Sequence, residues 1–145
     1  MSGDFFDSNV LVYALDASSP AKRATAQRLI QNALRTGDGR ISFQVVQETL
    51  NVIVHKFQTP ITPADARQFL DQVLVPLWRV MPSRALYERA LAIHVRYQFR
   101  FYDALIVAAA LTGNCTRLYS EDLQHGQRIE GLTVENPFRV VPGAS

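Results

Sequence analysis

A single cysteine, Cys115, leaves the 145-residue chain without an internal disulfide framework and points to a reducing compartment. No base stands near it in sequence, so it reads as a small, at least half-buried hydrophobe. Lysine is nearly as scarce, at Lys22 and Lys56 only. The other basic residues are arginines, and the formal net charge is +2, which excludes a polycationic tail protein. Arginine grips phosphate bidentately, which suits a nucleic-acid partner. Genomic base composition gives the same bias, so that signal carries little weight. No apolar run is long enough to cross a bilayer, and no basic segment leads into an apolar stretch at the N-terminus. A cytoplasmic protein off the membrane is the expectation. The glycines lie in turns and form no phosphate loop, and there is no Gly-x-Ser-x-Gly elbow. His55, His94 and His125 lack zinc spacing. His94 reads as a helix residue beside the core, and His125 as a loop residue whose ring is more often spent elsewhere than at a site. No repeat, low-complexity segment or linker divides the chain, so residues 1–145 are expected to form one domain.

Short apolar strands alternate with amphipathic helices. Strands are expected around Phe5–Phe6, at Arg40–Phe43, Leu77–Met81, Arg117–Ser120 and Leu132–Glu135. Ser19-Pro20, Thr62-Pro63 and Ser83 mark helix starts, and Gly37 a helix end. The helix begun at Thr62 should run to about Leu74, with Pro76 closing it. Another should cover Phe43–Phe57, and the tail after Val141 should fray. This alternation predicts an α/β fold, a parallel sheet with helices on both faces. Ligands in such sheets bind beyond the carboxyl ends of the strands.

One helix differs from the rest. From Ala104 to Leu111 it is apolar on every side, so it belongs in the interior. Asp103 stands at its N-terminal end, where backbone N–H groups and the helix dipole favour an anion. Asp103 is either an N-cap or an acid aimed at a site. Asp7, directly after the first strand, has the same two readings. On the helix after the second strand, Gln44, Glu48, Asn51 and His55 share one stripe, either a solvent face or the lining of a cleft. Asp122 follows the fourth strand, beside Glu121, and spacing alone does not say which of the two points inward. Parallel strands end on one edge, so Asp7, Glu48 and Asp122 share that edge and Asp103 can join them. Acids crowded there without lysine or arginine raise one another's pKa and weaken the fold. A hard cation such as Mg²⁺ or Mn²⁺ removes that cost.

Asp7-Ser-Asn9, Gln44-Val-Val-Gln-Glu48, Phe101-Tyr-Asp103 with the Ala-rich run to Ala110, and Tyr119-Ser-Glu-Asp122 resemble the four signature blocks of PIN domains. In length and block detail the chain resembles the VapC-type toxin ribonucleases, from Asp4 to Phe138. The resemblance implies a three-layer sandwich around a mostly parallel sheet of about five short strands. It implies an Mg²⁺- or Mn²⁺-dependent endoribonuclease whose metal and catalytic acids are Asp7, Glu48, Asp103 and Asp122. It also implies Asn9 and Ser120 as groups that orient those ligands. Asp122 is preferred to Glu121 because it fits the Ser-x-Asp spacing. Further implications are hydrolysis leaving a 5′-phosphate and a 3′-hydroxyl, a small antitoxin that blocks the acidic pocket, and a homodimer. Arg100 and Arg96 are candidates for holding the RNA backbone, or else exposed solvating charges.

Two other classes compete. A phosphoacceptor domain needs a lysine after a late strand, and none follows Lys56; a haloacid-type phosphatase needs Asp-x-Asp where this chain has Asp7-Ser-Asn9. A non-catalytic RNA- or partner-binding module on the same fold is disfavoured by the full set of acids. A PIN nuclease that processes RNA without a toxin role is the remaining alternative.

Overall fold

The computed structural model describes residues 3–55 and 61–139. The chain forms β1 (Gly3–Phe6), α1 (Ser8–Tyr13), α2 (Pro20–Thr36), β2 (Gly39–Ser42), α3 (Phe43–His55), α4 (Pro63–Phe69) and α5 (Val75–Leu77). It continues through β3 (Trp78–Val80), α6 (Arg84–Tyr97), α7 (Phe101–Thr112), β4 (Cys115–Tyr119), β5 (Arg128–Ile129) and β6 (Leu132–Glu135). The sheet order is β3-β2-β1-β4-β6-β5. Every pairing is parallel except that of β5 with β6.

The alternating α/β pattern is therefore present, with six strands where the sequence predicts about five. The extra strand, β5, has two residues, too few for a period of hydrophobicity. Winding starts at β1, goes outward to β2 and β3, then returns to place β4 and β6 on the other side of β1. Right-handed crossovers assign α1–α5 to one face and α6–α7 to the other. The reversal lies between β1 and β4, where doubly wound sheets open a crevice at the carboxyl edge.

Local signals explain most boundaries. Thr62 Oγ1 accepts from Asp65 N at 3.1 Å and Ser83 Oγ from Leu86 N at 3.1 Å, so both hydroxyls cap their helices. Gly37 ends α2 in the left-handed region at φ 77°. Gly39 has a packing reason: a Cβ there would lie 2.7 Å from Ala33 Cβ and 2.8 Å from Leu77 Cδ2. Pro76 does not close the helix before it. A π-helical stretch, Leu70–Leu74, follows α4, and α5 carries Pro76 onward to β3. The wider turn relieves the clash a proline ring makes with the preceding turn. Helix α3 ends at His55, and the continuation expected to Phe57 lies outside the described residues, as does the tail after Val141.

The core gathers on α7. Its residues Ala104 to Ala110 are all buried, and the alanines let α6 approach closely. Phe5, Phe6, Ile41 and Leu118 fill the sheet side, with Phe6 stacked on Tyr119 at 5.4 Å between centroids. Truncating Phe5 would cost about 3–5 kcal/mol. Cys115 is buried and unpaired, and burial pushes its thiol up to about 12, so it is inert packing. His94 is exposed, not beside the core, and its Nδ1 meets the Phe99 carbonyl where α6 ends. Among the described residues, no helix is long and apolar enough to cross a membrane.

Candidate active site

Asp7 is the first residue beyond β1. Its backbone is extended and its N–H bonds Tyr119 O at 2.9 Å, which fastens it to the end of β4. One carboxylate oxygen accepts from Ser8 N and the other from Ser120 Oγ, each at 2.8 Å. Asp7 is thus both the cap of α1 and an acid on the carboxyl edge. It is 6% exposed. Burial pushes its pKa up to about 6 against the two hydrogen bonds, with Asp122 and Asp103 adding repulsion.

Glu48 lies on α3, which starts straight after β2 with no intervening loop. Ser42 Oγ accepts from Val45 N at 3.4 Å and closes that junction. Glu48 is half-buried, and burial pushes it up to about 7, with further repulsion from Asp7, Asp103 and Asp122. Its Oε1 is buried without a hydrogen-bond partner among the described residues. The stripe on α3 combines both sequence readings: Gln44 and Glu48 face inward, while Asn51 and His55 are exposed.

Asp103 is not an N-cap. Arg100 occupies that position with no side-chain bond, and Asp103 stands in the first turn of α7. Partial burial raises its pKa, Asp122 raises it further and Arg100 opposes both. Asp122, beyond β4, is exposed and accepts from Asn9 Nδ2 at 3.2 Å. Its own N–H bonds Ser120 Oγ at 3.2 Å. Ser120 therefore bridges Asp7 and Asp122, and Asn9 bridges Asp122 and Glu121 N. Glu121 turns the other way. Tyr13 OH donates to it at 2.7 Å and Lys22 Nζ at 2.7 Å. Burial works to raise its pKa, but these partners outweigh it and the net direction is down.

The fold thus brings Asp7, Glu48, Asp103 and Asp122 within mutual electrostatic range at one edge. Hydrogen bonds from Ser8, Ser120 and Gln44 oppose the rise, and Arg100, which is exposed, is the one cation among the causes of these shifts. Arg96 is not part of this group. Its guanidinium lies 5.4 Å from the Tyr97 ring centroid, beside a pocket of about 160 Å³ shared with Arg89 and Glu130. The roomier concavities, about 260 and 250 Å³, are apolar, share Leu15, Phe69 and Val73, and contain none of the four acids. His125 is spent on Asn136 N and lies beside Arg139, so it does not face the acids.

The donor set suits a hard divalent cation: oxygen ligands only, charge left uncompensated, and an orphaned oxygen on Glu48. Among the described residues, no three carboxylates, imidazoles or thiols stand close enough together to hold an ion as they lie.

Gln44 is a contributor that the stripe alone does not reveal. It is 4% exposed, and its Nε2 donates to Tyr102 O at 3.2 Å, next to Asp103. It ties the helix of Glu48 to that of Asp103. A polar residue on a stripe with exposed neighbours gives no signal of burial.

The model of the PIN domain matches residues 5–128. The chain belongs to the PIN domain family. The matched span of this PIN domain contains all four acids. Solved structures share its fold. A toxin–antitoxin complex from Klebsiella pneumoniae matches with a TM-score of 0.66 at 20% identity, over 95% of this chain and 100% of that one. VapC20 of Mycobacterium tuberculosis, a sarcin–ricin-loop-cleaving toxin, matches with a TM-score of 0.60 at 21% identity, over 83% and 90%. VapBC2 of Rickettsia felis, solved with a fragment of promoter DNA, matches with a TM-score of 0.63 at 19% identity, over 92% and 97%. At these identities the likeness is one of fold. No curated protein matches the chain.

Proposed function

We propose that this PIN domain is a divalent-metal-dependent endoribonuclease and the toxin of a toxin–antitoxin pair. The observation that carries the reading is the edge cluster of four acids, with Asp7 pushed to about 6 and Glu48 to about 7 and, among the described residues, no cation in the causes of either shift. Asp7, Glu48 and Asp103 would hold Mg²⁺ or Mn²⁺, with Asp122 completing the pocket. When bound, the ion would supply charge stabilisation at a phosphoryl oxygen and acidify a water for hydrolysis. The chain's own residues do the rest. Ser120 and Ser8 N–H fix both oxygens of Asp7, and Asn9 aims Asp122. Arg100 and the exposed Tyr102 flank Asp103 and offer single-stranded RNA a cation and a stacking face. Hydrolysis then leaves a 5′-phosphate and a 3′-hydroxyl.

An antitoxin partner is supported by the Klebsiella pneumoniae and Rickettsia felis structures, both solved as toxin–antitoxin assemblies. It would silence the site by meeting its acids with a basic group. Homodimerisation belongs to the same reading and is testable by light scattering.

The test is cleavage of a single-stranded RNA by the wild type with Mn²⁺, with EDTA, and by Asp103→Asn. Cleavage that needs Mn²⁺ and is lost in the variant supports the reading. Cleavage that survives EDTA, or runs at the wild-type rate in Asp103→Asn, overturns it.

A further inference from the structure

We propose that Lys22, Tyr13 and Glu121 form a clamp that aims Asp122 at the acidic edge, a set of positioning residues that serves the metal-nuclease reading above. Asp122 sits on the connection between β4 and β5, outside regular structure, and it is exposed. No packing therefore sets its direction. Its two neighbours are held instead. Leu123 is buried in the core. Glu121 has both carboxylate oxygens taken: Oε1 by Tyr13 OH at 2.7 Å and Oε2 by Lys22 Nζ at 2.7 Å. With residues 121 and 123 pinned on either side, the backbone at Asp122 is held where Asn9 Nδ2 reaches its carboxylate at 3.2 Å.

The clamp is built from distant parts of the chain. Tyr13 ends α1 and Lys22 lies in the first turn of α2. The Lys22 ammonium also donates to Tyr13 OH at 3.2 Å and lies 4.7 Å from the Tyr13 ring centroid and 5.8 Å from that of Phe138. Tyr13 and Phe138 meet edge to face at 4.8 Å. One ammonium is thus held by a carboxylate, a phenol and two aromatic faces. The grip also sorts two adjacent acids. It keeps Glu121 out of the edge cluster, so the site carries four carboxylates and not five.

The side chains of Lys22 and Glu121 are 39% and 26% exposed, and a pair at this depth contributes little to stability. Its loss should instead be felt through Asp122. The experiment is an Mn²⁺ titration of the full chain followed by Tm, for the wild type, Lys22→Met, Lys22→Arg, Glu121→Gln and the double variant Lys22→Met/Glu121→Gln. Outer groups that orient a metal ligand typically change affinity by about tenfold. Lys22→Met and Glu121→Gln should each weaken the apparent Mn²⁺ affinity by about that factor. The double variant should be no weaker than either single one, because the two residues act as a unit. Lys22→Arg should recover part of the loss. If Lys22→Met fails to fold, the isosteric Glu121→Gln carries the test. Wild-type Mn²⁺ curves in both single variants overturn the clamp and leave the metal reading standing. A wild type with no Mn²⁺ response overturns both.

Discussion

Two groups of carboxylates in this molecule are treated in opposite ways. On the sheet surface, Asp4 of β1 and Glu135 of β6 both reach Arg117 on the strand between them, at 3.0 and 3.3 Å. Glu121 is likewise matched by Lys22. At the carboxyl edge, Asp7, Glu48, Asp103 and Asp122 face one another with only the exposed Arg100 in opposition. The chain has ample arginine and places it beside surface acids, yet the edge acids form no salt bridge among the described residues, and Asp7, Glu48 and Asp103 are at least partly buried. A fold gains nothing from such crowding by itself. The contrast separates acids paired with cations from acids left facing one another, and the proposed cation is what would relieve the second group.

The strongest way to break this contrast is to remove one edge acid. Asp103→Asn should reduce metal-dependent cleavage by about 10³-fold, the scale of losing one preorganised electrostatic group. It should leave the circular dichroism spectrum unchanged. Single-turnover kinetics on a short RNA would measure it.

Next comes the pH dependence of the metal-free protein. Asp7 moves from 3.8 to about 6 and Glu48 from 4.5 to about 7 on folding. Below about pH 3 both states hold these protons and nothing is lost. As pH rises to about 7, the unfolded chain gives up its protons first, so stability falls through that window. Asp7→Asn should remove its share, on the order of 2–3 kcal/mol at pH 8, and make the metal-free variant more stable than the wild type. Urea unfolding at pH 5 and pH 8 in EDTA checks the sign. A variant less stable at both would mean Asp7 is a cap alone.

On the matched side the effects should be small. Arg117→Ala should lower stability by about 1 kcal/mol, because the network is partly solvated and screened by salt. It should leave the Mn²⁺ response untouched. Arg84→Ala, at a fully surface-exposed i,i+4 pair with Glu88, should change neither stability nor metal response measurably. A large effect at either position would erase the contrast.

Much of the fold was readable from local chemistry. Capping residues, the turn at Gly37 and the all-round apolar run after Asp103 act within a few residues, and a sequence displays such signals directly. The edge position of Asp7 and Asp122 followed from strand direction alone. What escaped depended on distant partners. Spacing left Glu121 and Asp122 open and only the family block favoured Asp122; the partners that engage Glu121, Tyr13 and Lys22, lie 108 and 99 residues away along the chain. Gln44 looks like a surface residue until Tyr102 O is beside it. Pro76 looks like a stop until a widened turn admits it. Strand β5 is held by its pairing with β6 and carries no pattern of its own.

The central claim is that the four edge acids form one cation site. Diffraction from crystals soaked in Mn²⁺, read at the manganese anomalous edge, tests it most directly. The expected result is a peak bounded by carboxylate oxygens of Asp7, Glu48 and Asp103, with Asp122 adjacent. A peak elsewhere on the surface, or none at saturating Mn²⁺, would contradict the account.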